Sequence, residues 1–413
     1  MRHTVALAGI SAATAALGLS VACVAAPSSP SQEQQTSALP GLIDGIEIES
    51  HDHVPPIMDA NGNLYRVTED YKAEGNNPQF MKSSDGGATW REQDAAHRST
   101  QNDTEAGWVV RDGRAIWFIW EAGDVHLTRF RTSDHPTRPD TYAISTESVK
   151  VEPDVPEHNQ YVSAVRNPDG SLWIAYGIDS DGPKIAFRKR TGPDSYTDQR
   201  TLDGRASPTT APRLVSGADG VTHIFYKDHG GNHLYWRRLT ANGVLSDARR
   251  VDSGGTHGVI TPLTNAVYYD DRGVEVLVVA FAGPNGHLKS VTIRDGRIGP
   301  ERRVSGSPVM IAPEVVTNNA AVAHLAVRGK TVHAMWSDAK NGHVFRDRHG
   351  AGGGWGDDLR VVDTGPGTAR QAQYVYCRVL TLPSGRRILG FTYDLGPHVD
   401  DDSNILYDRV VLP

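Results

Sequence analysis

The sequence predicts an all-β fold, a seven-bladed β-propeller of four-stranded antiparallel blades. The main observation is a glycine that recurs at nearly regular intervals along the chain, each time between two apolar, β-rich runs. A hairpin of this size cannot bury a core alone, and self-similarity at about 40 to 50 residues per unit is typical of propellers. The glycines are Gly62, Gly113, Gly170, Gly220, Gly273, Gly329 and Gly385.

Each unit supplies four strands, which we label A to D from the inside outward. Segments such as VSAVRNPDGSLWIAYG and AVYYDDRGVEVLVVAF indicate strand A, a tight turn whose glycine tolerates positive φ, and strand B. Segments such as VHLTRFRT and NHLYWRRLT follow as strand C, and weaker runs such as ARRVDS and LRVVDT follow as strand D in most units. Four antiparallel strands per unit match one propeller blade.

The order of the strands assigns each loop to one face of the propeller. Successive turns of an antiparallel meander alternate between the two ends of the sheet, so the glycine turns and the C to D turns share one face. The B to C loops and the entries into strand A lie on the opposite face, around the central channel. We therefore expect a ligand pocket on that second face, where polar groups from several blades can converge.

The N-terminus predicts export from the cytoplasm. A basic start, an apolar stretch and the small residues before Pro27 indicate a signal peptide over residues 1–26, followed by a Pro/Ser/Gln-rich linker over 27–40 and the propeller over 41–413. Lipoprotein processing at Cys23 is the alternative, because the preceding residues approximate a lipobox. After cleavage, Cys377 remains as the single cysteine, and its apolar surroundings predict a buried thiol.

Composition limits the partners of the chain. With 42 Lys and Arg against 49 Asp and Glu, the net charge of -7 gives no basic excess for binding nucleic acid. No stretch beyond the leader approaches the roughly 18 apolar residues of a membrane span. We expect a secreted monomer without a cofactor. The acidic loop from Asp394 to Asn404 could hold a structural Ca²⁺ ion, although its spacing does not match an EF-hand and a solvated loop is the alternative.

One motif points to the fold rather than to the chemistry. Residues 83–90, SSDGGATW, match the Asp-box of sialidase-like propellers, S-x-D-x-G-x-T-W. This segment falls in the C to D turn of the first blade, on the glycine-turn face. We expect Asp85 and the hydroxyl groups to close the turn through hydrogen bonds and Trp90 to pack as its hydrophobic anchor.

The repeat separates scaffold residues from candidate site residues. A residue type that recurs at one blade position is expected to support the fold, as the histidines that begin strand C and the tryptophans of strand B do: His126, His233, His287, His343, Trp117, Trp120, Trp173 and Trp336. Other polar residues on the predicted functional face do not recur in this way. They enter blades one, three and four or leave strand B of blade four: His53, His158, Asn159, Tyr161, Arg213, Tyr226, Lys227, Asp228 and His229.

Blades three and four resemble the BNR-repeat family of secreted propellers that includes ulvan lyases and rhamnose–glucuronate lyases. The resembling stretches are HNQYVSAVRNPDGSLWIAYG and TTAPRLVSGADGVTHIFYKDHGGNHLYWRRL, and the rest of the chain shares only the general blade pattern. Six positions match the residues that such lyases carry at the entry and exit of these blades: His158, Asn159, Pro212, Arg213, Tyr226 and Asp228. The chain departs from the pattern at Ala211, where the lyases have a tyrosine, and at Lys227, where they have an arginine.

The resemblance implies β-elimination on a uronate, and hence an anionic oligo- or polysaccharide as the partner. That reaction needs cations to stabilise the carboxylate as it gains enolate character, a base for the C5 proton and an acid for the leaving oxygen. For this chain it implies Lys227 and Arg213 as the cations and His158 as the base, with Tyr161 or Tyr226 as the acid. Four further residues are expected to bind the substrate: His53, Asn159, Asp228 and His229.

Two other functions remain open at this point. A sialidase-like exo-glycosidase would need an arginine cluster, to which Arg213 and Arg378 could belong, together with a nucleophile and an acid. A carbohydrate-binding propeller without catalytic activity would repeat its binding residues in every blade. The concentration of polar residues in blades one, three and four favours a single site, and hence an enzyme.

Overall fold

The computed structural model describes most of the predicted propeller and none of the predicted leader. The described residues are 56–59, 61–70, 77–93, 105–112, 115–121, 125–131, 145–152, 162–178, 184–192, 195–202, 206, 212–228, 232–256, 264–306, 324–338, 343–349, 354–363, 371–396 and 404–412. The predicted signal peptide, the linker, Cys23 and the centre of the acidic loop (397–403) lie outside them. No helix in the described part of the chain is long and apolar enough to cross a membrane.

The described strands form seven antiparallel sheets. The first contains β1 (Ile57–Met58), β2 (Leu64–Asp70), β3 (Asn77–Ser83) and β4 (Arg91–Gln93). The second contains β5 (Glu105–Asp112), β6 (Ala115–Glu121), β7 (Val125–Arg131) and β8 (Ser145–Glu152). The third contains β9 (Ser163–Arg166), β10 (Leu172–Ile178), β11 (Lys184–Gly192), β12 (Ser195–Tyr196) and β13 (Arg200–Thr201).

The remaining four sheets follow in chain order. The fourth contains β14 (Arg213–Ser216), β15 (Thr222–Lys227), β16 (Leu234–Leu239) and β17 (Arg249–Arg250). The fifth contains β18 (Thr264–Tyr269), β19 (Glu275–Ala282), β20 (Leu288–Arg294), β21 (Arg297–Ile298) and β22 (Arg302–Arg303). The sixth contains β23 (His324–Arg328), β24 (Thr331–Asp338), β25 (His343–His349) and β26 (Leu359–Asp363). The seventh contains β27 (Gln371–Thr381), β28 (Arg387–Gly396) and β29 (Asn404–Val411).

The predicted all-β propeller with four-stranded antiparallel blades is confirmed, with one correction to the strand count. Six sheets run in the order A to D, and the outer strand of the third and fifth sheets is divided into two short pieces that pair with the same strand C. The seventh sheet has three strands among the described residues. Strand A of each sheet lies beside strand A or B of a neighbouring sheet, and β1 of the first sheet lies beside β27 of the seventh, so the sheets close into a ring.

Side chains of the inner strands bind the backbone of neighbouring blades. The Ser163 hydroxyl accepts a hydrogen bond from the Leu214 amide at 3.2 Å, and the Asn265 amide group donates one to the Arg213 carbonyl at 3.3 Å. The Cys377 thiol lies 3.5 Å from the carbonyl oxygen of His324, to which it donates. Strand A is the inner edge of its sheet, and these contacts satisfy backbone groups that would otherwise face the channel.

The glycine turns have the geometry that the sequence predicts. Six of the seven glycines have φ between +58° and +86°, and Gly113 lies outside the described residues. In the first and fifth blades an aspartate closes the turn: the Asp59 carboxylate accepts hydrogen bonds from the amides of Asn61 and Asn63, each at 2.9 Å. Asp270 accepts the corresponding bonds from the Arg272 and Val274 amides. Short polar side chains and a glycine therefore fix these hairpins.

The cores lie between adjacent sheets. Trp117 packs in a cluster formed by the second and third sheets, Trp173 in one formed by the third and fourth, and Trp336 in one formed by the fifth and sixth. Each of these tryptophans is at most 2 % exposed, which confirms the predicted interblade packing. The side chain of Trp120 lies outside those described. The predicted burial of Cys377 is also confirmed, since its thiol is 1 % exposed.

The SSDGGATW segment forms a closed turn. The Ser83 hydroxyl donates to Asp85 at 2.7 Å and accepts from the Gly87 amide at 2.8 Å, while Asp85 accepts from the Thr89 amide at 2.9 Å and from its hydroxyl at 2.5 Å. Burial alone would raise the pKa of Asp85, but these hydrogen bonds lower it to about 2. The Trp90 ring packs edge-on against Tyr407 of the seventh sheet, 5.7 Å between centroids. The turn therefore packs the first blade against the seventh.

We expect Gly87→Ala to lower the melting temperature more than Gly385→Ala does. Both glycines have positive φ, +96° and +79°, so each substitution costs roughly 1–2 kcal/mol in the backbone. At Gly87 the added methyl group would also lie 2.1 Å from Cε1 of Tyr407, whereas nothing lies within 4 Å at Gly385. The additional overpacking adds about 1–3 kcal/mol. Equal losses in thermal unfolding followed by circular dichroism would contradict this packing.

Candidate functional site

The structure describes four of the nine residues that the sequence nominated. Arg213, Tyr226, Lys227 and Asp228 belong to the fourth sheet or to the loop that leaves it. The other five lie outside the described residues and stay predictions: His53, His158, Asn159, Tyr161 and His229.

Strand alternation separates Tyr226 from Lys227. In β15, Ile224 and Tyr226 belong to the core between the third and fourth sheets, whereas Phe225 belongs to the core between the fourth and fifth. Successive side chains of a strand point to opposite faces, so Lys227 lies on the same face as Phe225, toward the fifth sheet. The phenol and the ammonium group therefore point in opposite directions, although the two residues are adjacent in sequence.

Arg213 lies on the same face as Lys227. Arg213 pairs directly with Phe225 across β14 and β15, and directly opposed residues of an antiparallel pair share a face. Lys227 follows Phe225 by two residues and is therefore the diagonal neighbour of Arg213, a separation that long side chains can bridge. The structure thus places these two predicted cations together.

Burial disfavours the protonated, charged form of Lys227. Its side chain is 0 % exposed, and this desolvation lowers the pKa of Lys227 to about 7, an effect that the neighbouring charge of Asp228 only partly opposes. A fully buried ammonium group is energetically unfavourable in any fold. Near neutral pH, Lys227 is consequently divided between its charged and neutral forms.

Tyr226 and Asp228 occupy well-packed positions. Tyr226 is 1 % exposed, and its ring stacks on Tyr235 with 5.8 Å between centroids. The Asp228 carboxylate accepts hydrogen bonds from the amides of Asn232 at 2.8 Å and His233 at 3.1 Å. Asp228 therefore holds the B to C loop of the fourth blade, on the face where we expect the pocket.

The charges of two arginines act on His324. Burial lowers the pKa of His324 to about 3, and the charges of Arg213 and Arg378 contribute to the shift. Arg213 belongs to the fourth sheet, His324 begins strand A of the sixth, and Arg378 lies on strand A of the seventh. Both guanidinium groups must lie close to the imidazole for their charges to act on it.

His324 is held by the adjacent strand of the seventh blade. Its ring lies 5.6 Å from the ring of Tyr376, and its Nδ1 lies 3.7 Å from Sγ of Cys377. His324 and Arg378 are half-buried yet strongly desolvated. This combination fits residues that line a narrow internal space. We refer to Arg213, Lys227, His324 and Arg378 as the central basic cluster.

The cluster carries positive charge at neutral pH. Burial lowers the pKa of Arg378, but only to about 10, so its guanidinium stays charged. With its pKa near 3, His324 is neutral. Among the described residues, no carboxylate contributes to the pKa shifts of His324 or Arg378. Such a site is suited to an anionic group, which two arginines can bind through paired hydrogen bonds.

No group of three or more His, Cys, Asp or Glu side chains within the described ranges is arranged to hold a metal ion. The pattern of the cluster instead matches recognition of an anion by fixed cations.

Sequence reasoning missed His324 and Tyr376 and considered Arg378 only for a hydrolase. His324 did carry a signal, because it is the first residue of its strand A and none of the other described A strands begins with histidine. Its partners Tyr376 and Cys377, however, belong to the next blade along the chain, a pairing that only the closed ring reveals.

We expect Lys227→Met to maintain or raise stability at pH 6 and to remove a pH dependence. Because the folded-state pKa of Lys227 lies near 7 rather than at 10.5, the unfolded chain binds more protons between these values. Stability of the wild-type protein therefore rises with pH across that window, by a few kcal/mol. Thermal unfolding from pH 6 to pH 10 measures both effects, with Lys184→Met as the control, because Lys184 is only half-buried and forms no ion pair among the described residues. A lower melting temperature with an unchanged pH slope would contradict the assignment.

Comparisons with known proteins support the fold. No protein-family model matches the sequence, and no curated protein matches it. The solved structure of AofleA from Arthrobotrys oligospora is similar, with a TM-score of 0.52 at 13 % identity over 78 % of this chain and 89 % of that one. The structure of the polysaccharide lyase Uly1 is less similar, with a TM-score of 0.48 at 9 % identity over 92 % of this chain and 94 % of that one. The structure of an α-L-arabinanase of Penicillium chrysogenum has a TM-score of 0.45 at 11 % identity over 90 % of this chain and 98 % of that one.

Proposed function

We propose that the protein is a secreted, carbohydrate-active enzyme that cleaves a uronate-bearing polysaccharide by β-elimination. The observation that supports the proposal is that the charges of Arg213 and Arg378 act on the buried His324, while Lys227 lies on the same strand face as Arg213. Arg213 and Lys227 belong to the fourth blade and Arg378 to the seventh, and the imidazole between them in the cluster is neutral, so the ligand they favour is an anion. A uronate carboxylate is the anionic group that the reaction requires.

The cluster would act on the carboxylate in the step that breaks the C5–H bond. As the proton leaves C5, electron density moves into the carboxylate, and the two guanidinium groups stabilise the enolate-like charge. A C4=C5 double bond then forms as the C4–O bond breaks, and an acid protonates the departing oxygen. Atoms and electrons balance without an oxidant or a reductant.

The orientation of Tyr226 supports Tyr161 as the acid of the proposed reaction. Tyr226 points toward the third sheet, away from the face that carries Arg213 and Lys227. We therefore assign the acid role to Tyr161 and retain His158 as the base; both enter strand A of the third blade on the predicted pocket face. Lys227 acts as the third cation when it is protonated.

A sialidase-like hydrolase is the second candidate, favoured by the same arginine pair. Arg213 and Arg378 would bind the carboxylate of an acidic sugar in that reaction as well. Such a hydrolase also needs a nucleophile, which in sialidases is a tyrosine, and an acid at the scissile bond. We prefer the lyase because the resemblance of blades three and four implies residues for its base and acid, His158 and Tyr161.

We expect Arg213→Gln and Arg378→Gln each to lower kcat/KM on the active polyuronate by about 100-fold or more, as loss of a transition-state donor does. The measurement is the ultraviolet absorbance of the unsaturated uronate produced from a panel of uronate polysaccharides. Arg386→Gln, in the exposed glycine turn of the same blade as Arg378, is the matched control, and melting temperatures verify folding.

Three results would contradict the proposal. Release of reducing sugar without a double bond would identify a hydrolase, and saccharide binding without turnover would identify a lectin. Full lyase activity in the two glutamine variants would remove the central basic cluster from the mechanism, and full activity in His158→Ala would remove the proposed base.

A further inference from the structure

The outer strands of the fourth and fifth blades carry positive charge on a chain that is acidic overall. Strands C and D of these two blades contain eight arginines: Arg237, Arg238, Arg249, Arg250, Arg294, Arg297, Arg302 and Arg303. All but Arg237 are exposed. The whole chain has a net charge of -7, so this rim is opposite in sign to the protein that bears it. We refer to these arginines as the basic rim.

The acids that follow or connect the same strands do little to neutralise this charge. The Asp252 side chain is 0 % exposed and binds Arg250 at 2.9 Å, and Glu301 is mostly buried and binds Lys289 at 2.8 Å. Asp247 and Asp295 are the exposed acids of this region. Arg294 also forms an ion pair with Asp270, so two of the seven exposed arginines form ion pairs with carboxylates among the described residues and five do not.

Scaffold contacts account for part of the rim. Arg249 pairs with Trp236 on strand C and donates a hydrogen bond to the carbonyl of Gly296 in the next blade. Arg200 of the third blade occupies the same register position, pairs with Phe187 and donates to the carbonyl of Gly243. A contact that repeats in consecutive blades supports the ring.

Arg302 and Arg297 depart from that scaffold. Arg302 holds the register position of Arg249 and Arg200, but it pairs with Ser290 instead of an aromatic residue. The side chains of Arg302 and Arg297 form no hydrogen bond or ion pair with any residue that the structure describes, and both are exposed. Their guanidinium groups are therefore available to a ligand.

These arginines form a row along the outer edge of the fifth blade. Arg297 pairs with Arg294, and Arg302 pairs with Ser290, which lies four residues before Arg294 on β20. An even separation along a strand places them on one face, about 13 Å apart at 3.3 Å per residue. Arg249 extends the row to the fourth blade, because it reaches Gly296, the residue before Arg297.

Protection of the sheet edge does not explain the composition of the row. Charges on an outer strand discourage edge-to-edge pairing, and either sign or a lysine serves that purpose. Here, arginine outnumbers lysine by eight to one in the same strands. Arginine differs from lysine in its planar fork, which binds carboxylate or sulfate groups through two parallel hydrogen bonds.

We propose that the basic rim is a second, non-catalytic binding surface for the chain of an anionic polysaccharide. A line of guanidinium groups along a strand edge matches an extended polymer with repeated carboxylate or sulfate groups better than it matches the broad plane of a bilayer. This surface goes beyond the proposed catalytic function and does not require turnover at the central basic cluster. It would hold a polymer at the outside of the ring and raise its local concentration.

The test is affinity electrophoresis of the full chain in gels that contain polygalacturonate, dextran sulfate or neutral dextran. We expect retardation by at least one of the anionic polymers and none by dextran, with a steep loss as salt is added. The double variant Arg297→Gln/Arg302→Gln should weaken binding by about tenfold, the effect of two lost charge-assisted contacts. Arg386→Gln/Arg387→Gln, two exposed arginines of a glycine turn, should bind like wild type.

Several outcomes would overturn the proposal. The first is wild-type affinity for the polymer in the rim double variant, and the second is an equal loss of affinity in the control double variant. The others are no retardation by either anionic polymer, and tighter binding to duplex DNA or to anionic vesicles. The result is separable from the catalytic proposal. A protein that yields no unsaturated product can still bind through the rim, and an active lyase whose rim variant binds normally would refute the rim alone.

Discussion

Each sheet of this protein must bury both of its faces against neighbouring sheets, and the other structural features depend on that constraint. The core clusters lie between blades, so the direction of a side chain decides which neighbour it contacts. Adjacent residues of one strand therefore take part in different interfaces. Tyr226 and Lys227 show the consequence, since a difference of one residue assigns the phenol to the third blade and the ammonium group to the fifth.

The same constraint makes polar groups at the inner strands energetically unfavourable. A buried charge destabilises a fold unless a partner compensates it, and the burial of Lys227, His324 and Arg378 shifts their pKa values away from the charged form. An apolar residue at position 227 would pack there without that penalty. Under the proposed function, this lysine serves ligand binding, because active sites commonly sacrifice stability for function. The central basic cluster is thus the part of the core that packing alone does not account for.

The sequence predicted the features that repeat and missed those that arise from closure of the ring. The glycine turns and the strands recur in each blade and the tryptophans of strand B in several, so local patterns were sufficient. His324 is affected by the charges of Arg213 and Arg378 and contacts Tyr376 only because three blades face one axis. Nothing in the local sequence indicates that these blades are close to one another. The sequence did not indicate the basic rim for another reason. Its arginines occur singly or in pairs along the sequence, and they lie near one another only because the fourth and fifth blades pack together.

Departure from the repeat is the strongest evidence for function in both regions. Where strand C meets strand B, a basic residue faces an aromatic ring in several blades, as Lys82 faces Tyr65 and Lys189 faces Trp173, so those cations belong to the scaffold. Arg302 keeps the position of a scaffold arginine while its aromatic partner is replaced by Ser290. His324 likewise begins its strand with a side chain that the other described A strands lack there. In a fold whose blades repeat the same side-chain contacts, a polar residue that lacks those contacts is the one that can bind a ligand.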